Sequence, residues 1–503
     1  MLFLKKLNKD YNMYTKQELH DQKIGTSSLY LIQLFSTFSY GILYSTLILF
    51  ITKGLKMDDV VAATITASFI AFNYTLRLIA GFISGKFFSH RISVVIGSVF
   101  QGIGCFFLYK YELYIGLAFY LVGLGFTITC INCLLTQFYH KDDKNREKVF
   151  MFNYSIMNFG FLIAYFISGY FEKIQNYKLL FLISAISNII PLILLLFFFK
   201  FFKDKKTTFS SLKISKRTLY RILGAISVVL ITICLIWLIR HSTISHILII
   251  VLSIAMFLLM IFYSIVQKTK IQKEKLWAFL ILTVMSIIFW TLYTAIPMAL
   301  TLFIENNVDR NILGFIVPPQ WVLSINTILI VVGGPLLAII FKRLRHKGRK
   351  ISLPFQFSVA LFLIGFAFLF LGFSTNFASK IGLIGFYWIV IGYFLQTVGE
   401  LYIAPVSYAM VGQLVPDKLQ NIMMGITMLT TGIAAIFSNM FARIALGSSK
   451  ETNPLITNPH FAKMFYIMGG VTIVAGIIMT LLIPLINNLI KEKDIKKTSP
   501  ELI

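Results

Sequence analysis

Long apolar stretches alternate with short polar loops from Ser28 to about Leu489. An α-helix needs about 20 consecutive apolar residues to cross the hydrocarbon core of a bilayer. Stretches of about that length occur fourteen times, and their spacing groups them as six, two and six. The predicted spans are residues 28–52, 60–85, 92–110, 113–139, 149–171, 179–200, 219–239, 245–266, 276–303, 321–341, 353–374, 382–413, 420–446 and 464–489.

This grouping predicts two helical bundles joined by a linker. We expect a tail at 1–27, a six-helix bundle at 28–202, a linker with an accessory hairpin at 203–275, a second six-helix bundle at 276–490 and a tail at 491–503. The fold class is an all-α membrane protein with the major facilitator fold, in which the substrate site lies between the halves near mid-membrane. The accessory hairpin is expected at the lipid-facing periphery.

Charge is sparse and unevenly placed. Only 13% of residues are charged, although the formal net charge is +26. Lys and Arg concentrate in alternate loops, which is the positive-inside pattern and not the footprint of a nucleic-acid site. We therefore expect a multi-pass protein of the cytoplasmic membrane with both termini cytoplasmic and no nucleic-acid partner. The basic loops are residues 140–148, 200–217, 267–275 and 341–350.

The sequence contains no pattern typical of an enzyme. The four cysteines lie in apolar stretches, and the CxxC of Cys130 and Cys133 is expected to pack within a membrane helix. There is no His-rich metal spacing, no nucleophile paired with a base and no phosphate-binding loop before a lysine. We expect neither a metal nor a cofactor.

Three charged residues lie more than two positions from either end of a predicted span: Arg77, Glu400 and Arg443. A carboxylate at the centre of a membrane helix costs about 2.5–3.5 kcal/mol, so Glu400 requires a compensating partner. Arg443 lies near the outer end of its helix, from where its side chain can reach the interface. Arg77 lies about 7 Å from the centre of its helix, and either lines a cavity or anchors packing on the cytoplasmic side.

Several segments resemble the proton-dependent oligopeptide transporter family. "GELYIAPVSYAMVGQLVPDKLQNIMMGI" (399–426) resembles the tenth and eleventh helices of that family, and residues 289–338 resemble its seventh and eighth helices. "NYSIMNFG" (153–160) resembles its FYxxINxG signature. "FSTFSYG" (35–41) resembles a weakened ExxERFxYY motif of its first helix. The likeness covers most of the chain and is stronger in the C-terminal half.

The resemblance implies a substrate site in a central cavity. It implies that Glu400 receives the α-ammonium group of a peptide. Each position also has a structural interpretation, because Tyr and Trp often pack within spans, Asn often joins membrane helices, and a Glu can be satisfied by neighbouring helices. The other positions that match the family's cavity residues are Tyr40, Tyr74, Asn158, Trp290 and Asn326.

The chain departs from the family where protons and carboxylates are handled. Neutral residues replace the charged residues of helix 1 and of later helices, and a neutral side chain cannot relay a proton. Arg77 lies one turn after Tyr74 on the same helix face. We hypothesise that it replaces the lost cation and binds the substrate carboxylate. The neutral replacements that the resemblance indicates are Gln33, Ser36, Thr37, Tyr44, Gly85, Ile128 and Thr294, and Thr427 stands where the family has a tryptophan in helix 11.

The function that this resemblance implies is alternating-access transport of di- and tripeptides or peptide-like solutes, with proton coupling left open. Two alternatives remain: a transporter of another solute, such as an amine, a modified peptide or a metal chelate, and a transport-dead sensor. The expected partners are a small-molecule substrate and the lipid bilayer, with protons a further possibility. We expect a monomer.

Overall fold

The computed structural model describes residues 14–139, 143, 145–202, 207–347, 351–447 and 451–490. Within these ranges, fourteen helices are long and apolar enough to cross a membrane, as predicted. An even number of spans puts both ends of the described chain on the same face of the membrane.

The fourteen spans are numbered in chain order. They are α1 (Lys16–Gly54), α2 (Asp59–Ile83), α3 (His90–Tyr109), α4 (Leu113–Phe138), α5 (Asn145–Lys173), α6 (Tyr177–Phe197), α7 (Ile214–Arg240), α8 (Ser242–Val266), α9 (Lys270–Asn307), α10 (Pro319–His346), α11 (Leu353–Ser374), α12 (Phe386–Leu414), α13 (Gln420–Leu446) and α14 (Pro454–Ile490).

Two faces of the protein follow from this order. The basic face is the membrane face that holds both ends of the described chain and the connections α2–α3, α4–α5, α6–α7, α8–α9, α10–α11 and α12–α13. The opposite face holds the other connections, including residues 308–318 between α9 and α10. The Lys- and Arg-rich loops all lie on the basic face.

Some helix ends differ from the predicted spans because polar residues extend or stop them. Helix α1 begins at Lys16 rather than at 28, since Thr15 and Glu18 form a capping box that starts the helix ahead of the apolar stretch. Within α9, residues Ile296–Leu300 form a π-helical turn, and Met298 has a non-helical backbone. Pro297 lacks the N–H that a regular helix would use there.

Short strands on the opposite face account for another difference. Strand β1 (Val308–Asp309) pairs in parallel with β4 (Ile384–Gly385). The predicted span at 382–413 therefore begins as a strand, and its helix starts at Phe386. Strands β2 (Asn311–Ile312) and β3 (Phe315–Ile316) pair with each other as an antiparallel hairpin, which follows β1 in the chain.

Close helix contacts within each half depend on glycine. Helices α3 and α4 approach so closely that a Cβ built on Gly123 would lie 2.5 Å from the carbonyl oxygen of Gly97. In the C-terminal half, a Cβ on Gly469 of α14 would lie 2.9 Å from the carbonyl oxygen of Gly365 in α11. Small residues let membrane helices pack backbone against backbone in this way.

The accessory hairpin α7–α8 lies at the periphery, with many of its large apolar side chains exposed where lipid would be. It contacts both halves, because α7 packs on α4 while α8 packs on α9 and α13. One polar contact fixes it to α2: the His246 ring Nε2 lies 3.1 Å from the Ser68 hydroxyl.

We predict that Gly123→Ala destabilises the protein, because the added methyl group collides with the α3 backbone. Overpacking of this kind costs about 1–3 kcal/mol. The measurement is the thermal unfolding midpoint in detergent. Gly470→Ala is the matched control, since a Cβ at Gly470 meets nothing within 4 Å. Equal midpoints for the two variants would contradict the prediction.

Candidate functional site

Glu400 lies midway along α12 and is only 7% exposed. Its carboxylate oxygen Oε2 accepts a hydrogen bond of 2.8 Å from Asn326 Nδ2 of α10. The same amide nitrogen lies 3.0 Å from the Thr397 hydroxyl, one turn before Glu400. The Tyr293 hydroxyl of α9 lies near the same carboxylate. Three helices of the C-terminal half thus surround the carboxylate.

Aromatic side chains from both halves surround this carboxylate. In the C-terminal half, the rings of Trp290 and Tyr293 meet edge to face with centroids 5.1 Å apart. In the N-terminal half, Tyr44 of α1 and Tyr165 of α5 interact electrostatically with Glu400. The carboxylate therefore faces the interface between the halves and not the lipid.

Open space borders this group of residues. Tyr154 is 45% exposed and Tyr408 is 49% exposed, yet both interact electrostatically with Glu400. Trp290 and Asn326 are also partly exposed. Exposed side chains that surround a buried carboxylate indicate a solvent-accessible cavity beside Glu400.

Arg77 lies on the N-terminal side of this cavity. Its Nη2 donates a hydrogen bond of 3.2 Å to Asn73 Oδ1, and its guanidinium carbon lies 4.8 Å from the centre of the Tyr74 ring. The Tyr74 and Tyr408 hydroxyls lie in the neighbourhood of both Arg77 and Glu400. These two tyrosines come from opposite halves, so Arg77 and Glu400 border the same space.

The other predicted site residues lie near these two charges. Tyr40 is buried on α1, and its hydroxyl accepts a hydrogen bond of 2.9 Å from Asn73 Nδ2. Asn158 Nδ2 donates to the carbonyl oxygen of Tyr154, one turn earlier in α5, at 2.9 Å. The structure thus joins Glu400 directly to Asn326. It groups the remaining residues nearby without direct contact to the carboxylate.

The neutral residues of α1 form hydrogen bonds with one another and with α3. Gln33 Nε2 donates to the Thr37 hydroxyl at 2.7 Å, and the Ser36 hydroxyl donates to Gln101 Oε1 at 3.4 Å. All four side chains are buried. The positions that hold charges in the resembled family therefore form a neutral polar cluster here.

Ion pairs close the cavity on the opposite face. Lys53 Nζ, at the end of α1, lies 3.0 Å from Glu172 Oε1 of α5 and 2.6 Å from Glu305 Oε1 of α9. Arg310 Nη2 also contacts Glu305 Oε1, at 3.0 Å. Lys53 thus bridges a carboxylate of each half.

Further contacts reinforce this closure. Glu172 is 3% exposed and accepts hydrogen bonds of 3.0 Å from the Tyr177 hydroxyl and from Gln320 Nε2 of α10. The indole N–H of Trp321 donates to the carbonyl oxygen of Phe166 at 3.0 Å. We call Lys53, Glu172, Glu305, Arg310 and Gln320 the closure network.

Sequence reasoning missed several of these residues. Tyr293 and Tyr408 lie three and eight residues after Trp290 and Glu400, so helical spacing could have placed them on the same faces. Asn73 lies four residues before Arg77, so helical spacing could also have placed it on the same face as Arg77. The closure network had no such signal, because its charges lie at helix ends, where charged residues are ordinary. Among the described residues, no group of three or more His, Cys, Asp or Glu side chains suits a metal ion.

Two six-helix halves that enclose a charged cavity, closed on one face by ion pairs, define a membrane transporter of the major facilitator class. A family model described as the POT family matches residues 91–456. The chain belongs to the POT family, and it is a transporter rather than an enzyme.

The chain is similar along nearly its whole length to curated relatives. It is 28% identical over 478 residues to a dipeptide and tripeptide permease A of Cronobacter turicensis, covering 93% of this chain and 94% of the relative. It is 27% identical over 472 residues to the protein of the same name from Salmonella typhimurium, covering 93% of each chain.

Solved structures share the fold. A peptide transporter POT in complex with sulfate superposes with a TM-score of 0.81 at 22% identity, covering 93% of this chain and 96% of that one. A POT family transporter in complex with 5-aminolevulinic acid superposes with a TM-score of 0.80 at 22% identity, covering 92% and 96%. These likenesses support the fold of two six-helix halves with an accessory hairpin.

We predict that Lys53→Met loosens the closure network, because Glu172 and Glu305 then lose the cation that they share. Spin labels at Ile174 and Leu313, both exposed on the opposite face, report the separation of the halves. The variant should show a larger fraction of long label-to-label distances in double electron–electron resonance. The exposed Cys234 and the partly exposed Cys133 are first replaced by Ser.

Lys178→Met is the matched control for this measurement. Lys178 lies on the same face, but it stacks on Tyr111 of its own half, with Nζ 5.4 Å from the ring centre. Its loss removes the same charge without touching the contact between the halves. An unchanged distance distribution in Lys53→Met, or an equal change in Lys178→Met, would count against the role of Lys53.

Proposed function

We propose that this transporter moves dipeptides and tripeptides across the cytoplasmic membrane by alternating access, and that Glu400 and Arg77 bind the two charged ends of the substrate. The relatives named as dipeptide and tripeptide permeases support the substrate class. A short peptide at neutral pH carries an α-ammonium group and a carboxylate, so a complementary site needs one acid and one base.

The observation that carries this proposal is a pair of opposite charges that lack ionic partners. Within the described residues, Glu400 makes no ion pair with Lys or Arg, and Arg77 makes none with Asp or Glu. Both border one cavity from opposite halves. A charge held in a membrane protein without a counter-ion is costly. A zwitterionic substrate would neutralise both charges at once.

The remaining site residues have supporting roles in this proposal. Asn326 orients the Glu400 carboxylate toward the cavity. Trp290, Tyr40 and Tyr74 form aromatic walls that contact the substrate without requiring a particular side chain. Asn158 lies on α5 beside Tyr154, where its amide oxygen is available for a peptide N–H. Contacts to the backbone of the substrate would let one site accept many peptides.

The sidedness of the protein follows from its charges. The positive-inside rule assigns the basic face, and with it both termini, to the cytoplasm. The closure network then seals the extracellular side, and the cavity opens inward. Substrate release to the cytoplasm would proceed from this conformation. Because both charged site residues belong to one chain, a monomer suffices for transport.

We infer that α1 relays no protons. Its buried Gln33, Ser36 and Thr37 are neutral and satisfied by hydrogen bonds within the polar cluster. A neutral amide or hydroxyl does not change its charge over the physiological pH range. Transport is therefore proposed to follow the substrate gradient.

We expect Glu400→Gln and Arg77→Gln each to reduce uptake of a labelled dipeptide into proteoliposomes by at least tenfold, because each removes the charge that is proposed to bind one end of the substrate. A hydrogen bond to a charged group contributes about 1.5–3 kcal/mol. Arg443→Gln, which removes an exposed cation of α13, is the control and should retain uptake. Wild-type uptake in either site variant would refute the assigned role of that residue.

Uptake of the same dipeptide down its own gradient should be equal, within twofold, with and without an inward pH gradient. The physical reason is the neutral polar cluster of α1, because the side chains of Gln33, Ser36 and Thr37 do not take up or release a proton in the physiological pH range. The initial rate in proteoliposomes with buffered lumens is the measurement. A several-fold stimulation that an uncoupler abolishes would show proton coupling and overturn the proposal that transport follows the substrate gradient alone.

A further inference from the structure

Asn73 is a fully buried side chain (0% exposed) between Tyr40 of α1 and Arg77 of α2. Its Nδ2 donates to the Tyr40 hydroxyl oxygen at 2.9 Å, and its Oδ1 accepts from Arg77 Nη2 at 3.2 Å. Both ends of the amide are therefore used, and each end meets a residue predicted to line the substrate cavity.

The guanidinium group fixes the orientation of this amide. Arg77 can only donate hydrogen bonds, so the group that faces it must be the oxygen of Asn73 and not its NH2. The NH2 group then points to Tyr40, whose hydroxyl accepts the bond and keeps its own proton. That proton remains available for donation elsewhere.

Asn73 and Tyr74 restrain Arg77 from two directions. The amide oxygen holds one terminal nitrogen, and the Tyr74 ring lies against the guanidinium plane at 4.8 Å. The Nε of Arg77 is buried and has no hydrogen-bond partner in the structure. A guanidinium group binds a carboxylate through two parallel N–H groups. The bond to Asn73 uses one N–H of Nη2 and fixes the plane of the guanidinium group, whose remaining terminal N–H groups can donate to an incoming anion.

We propose that Asn73 is a positioning residue for recognition of the substrate carboxylate: it orients Arg77 toward the cavity and couples that orientation to Tyr40. This inference rests on the proposed function, in which Arg77 binds the carboxylate. Long, flexible arginine side chains lose binding strength when they are not pre-organised. Removing Asn73 should weaken binding of ligands that have a free carboxylate and leave other ligands unaffected.

The test compares the dipeptide Ala-Ala with its C-terminal amide, which has the same ammonium group and no carboxylate. Dissociation constants are measured by calorimetry on the full chain in detergent. In the wild type, the amide should bind at least tenfold more weakly than the acid. In Asn73→Leu, the acid should lose about tenfold in affinity, while the affinity of the amide stays within twofold. The ratio of the dissociation constant of the amide to that of Ala-Ala then falls toward one.

Asn188→Leu is the matched control for a structural effect. Asn188 is also a buried asparagine bonded to α1, through Nδ2 and the Ser39 hydroxyl at 2.8 Å, but it does not contact Arg77. This variant should change both ligands equally. If Asn73→Leu also changes both ligands equally, Asn73 is only a helix-packing residue and the inference is overturned.

Asn73→Asp keeps the size of the side chain and serves if Asn73→Leu does not fold. An aspartate at this position would pair with Arg77 and compete with the substrate carboxylate. The affinity for Ala-Ala should therefore fall, with little change for the amide. Unchanged affinity for Ala-Ala in this folded variant would overturn the inference.

The Arg77→Gln variant separates failure of this inference from failure of the proposed function. If Arg77→Gln keeps the wild-type ratio of the two dissociation constants, that of the amide over that of Ala-Ala, Arg77 does not bind the carboxylate and the proposed function fails. If Arg77→Gln abolishes the ratio while Asn73→Leu preserves it, the carboxylate role stands and only the positioning role of Asn73 fails. In the double variant, Asn73→Leu should add no further loss for Ala-Ala.

Discussion

The structure depends on how charge is handled inside a low-dielectric membrane. A buried charge needs a partner, because its desolvation is otherwise uncompensated. Near mid-membrane, Glu400 accepts a hydrogen bond from Asn326 and, among the described residues, forms no ion pair with Lys or Arg. Arg77 donates to an amide oxygen and lies over an aromatic ring, and within the described ranges it forms no ion pair with Asp or Glu. These neutral partners keep both charges in place while leaving each one available to a ligand of opposite sign.

In the closure network, by contrast, the desolvation of each charge is compensated by an ion pair. Lys53 contacts the carboxylates of both halves, and Arg310 contacts Glu305 within its own half. If the halves separate on this face, Lys53 keeps Glu172 and Arg310 keeps Glu305. Each half would then remain neutral at this place. Opening would break the ion pair between Lys53 and Glu305 and would leave no charge without a partner. This suits a gate that must open and close repeatedly.

Most of the fold could be predicted from hydropathy, because a bilayer sets the length of every span. The fourteen spans and the division into six, two and six follow from that constraint alone. The errors are at helix ends, where local chemistry decides. The Thr15–Glu18 capping box lengthened α1, and a two-residue strand at Ile384 shortened the start of α12.

The site was only partly predictable. Glu400 and Arg77 stood out because charge within a span is costly, and family resemblance pointed to Asn326 and Trp290. Contacts between distant segments had no such signal: Lys53 and Glu305 are 252 residues apart, and neither position looks unusual in sequence. Asn73 was missed for a different reason. A neutral amide in a span costs little, so composition does not mark it, and its importance appears only when its two partners are seen.

The neutral cluster on α1 shows how a site can change without being lost. Removing one member of a buried ion pair leaves an unpaired charge, and this costs more than removing both. Here the charges of the resembled family are replaced together, and the new side chains bond to one another: Gln33 to Thr37, and Ser36 to Gln101. Each of these three α1 side chains keeps a hydrogen bond while the titratable groups disappear, although the buried Gln101 amide nitrogen has no partner among the described residues. In the proposed function, the cation for the substrate comes from another helix, namely from Arg77 of α2.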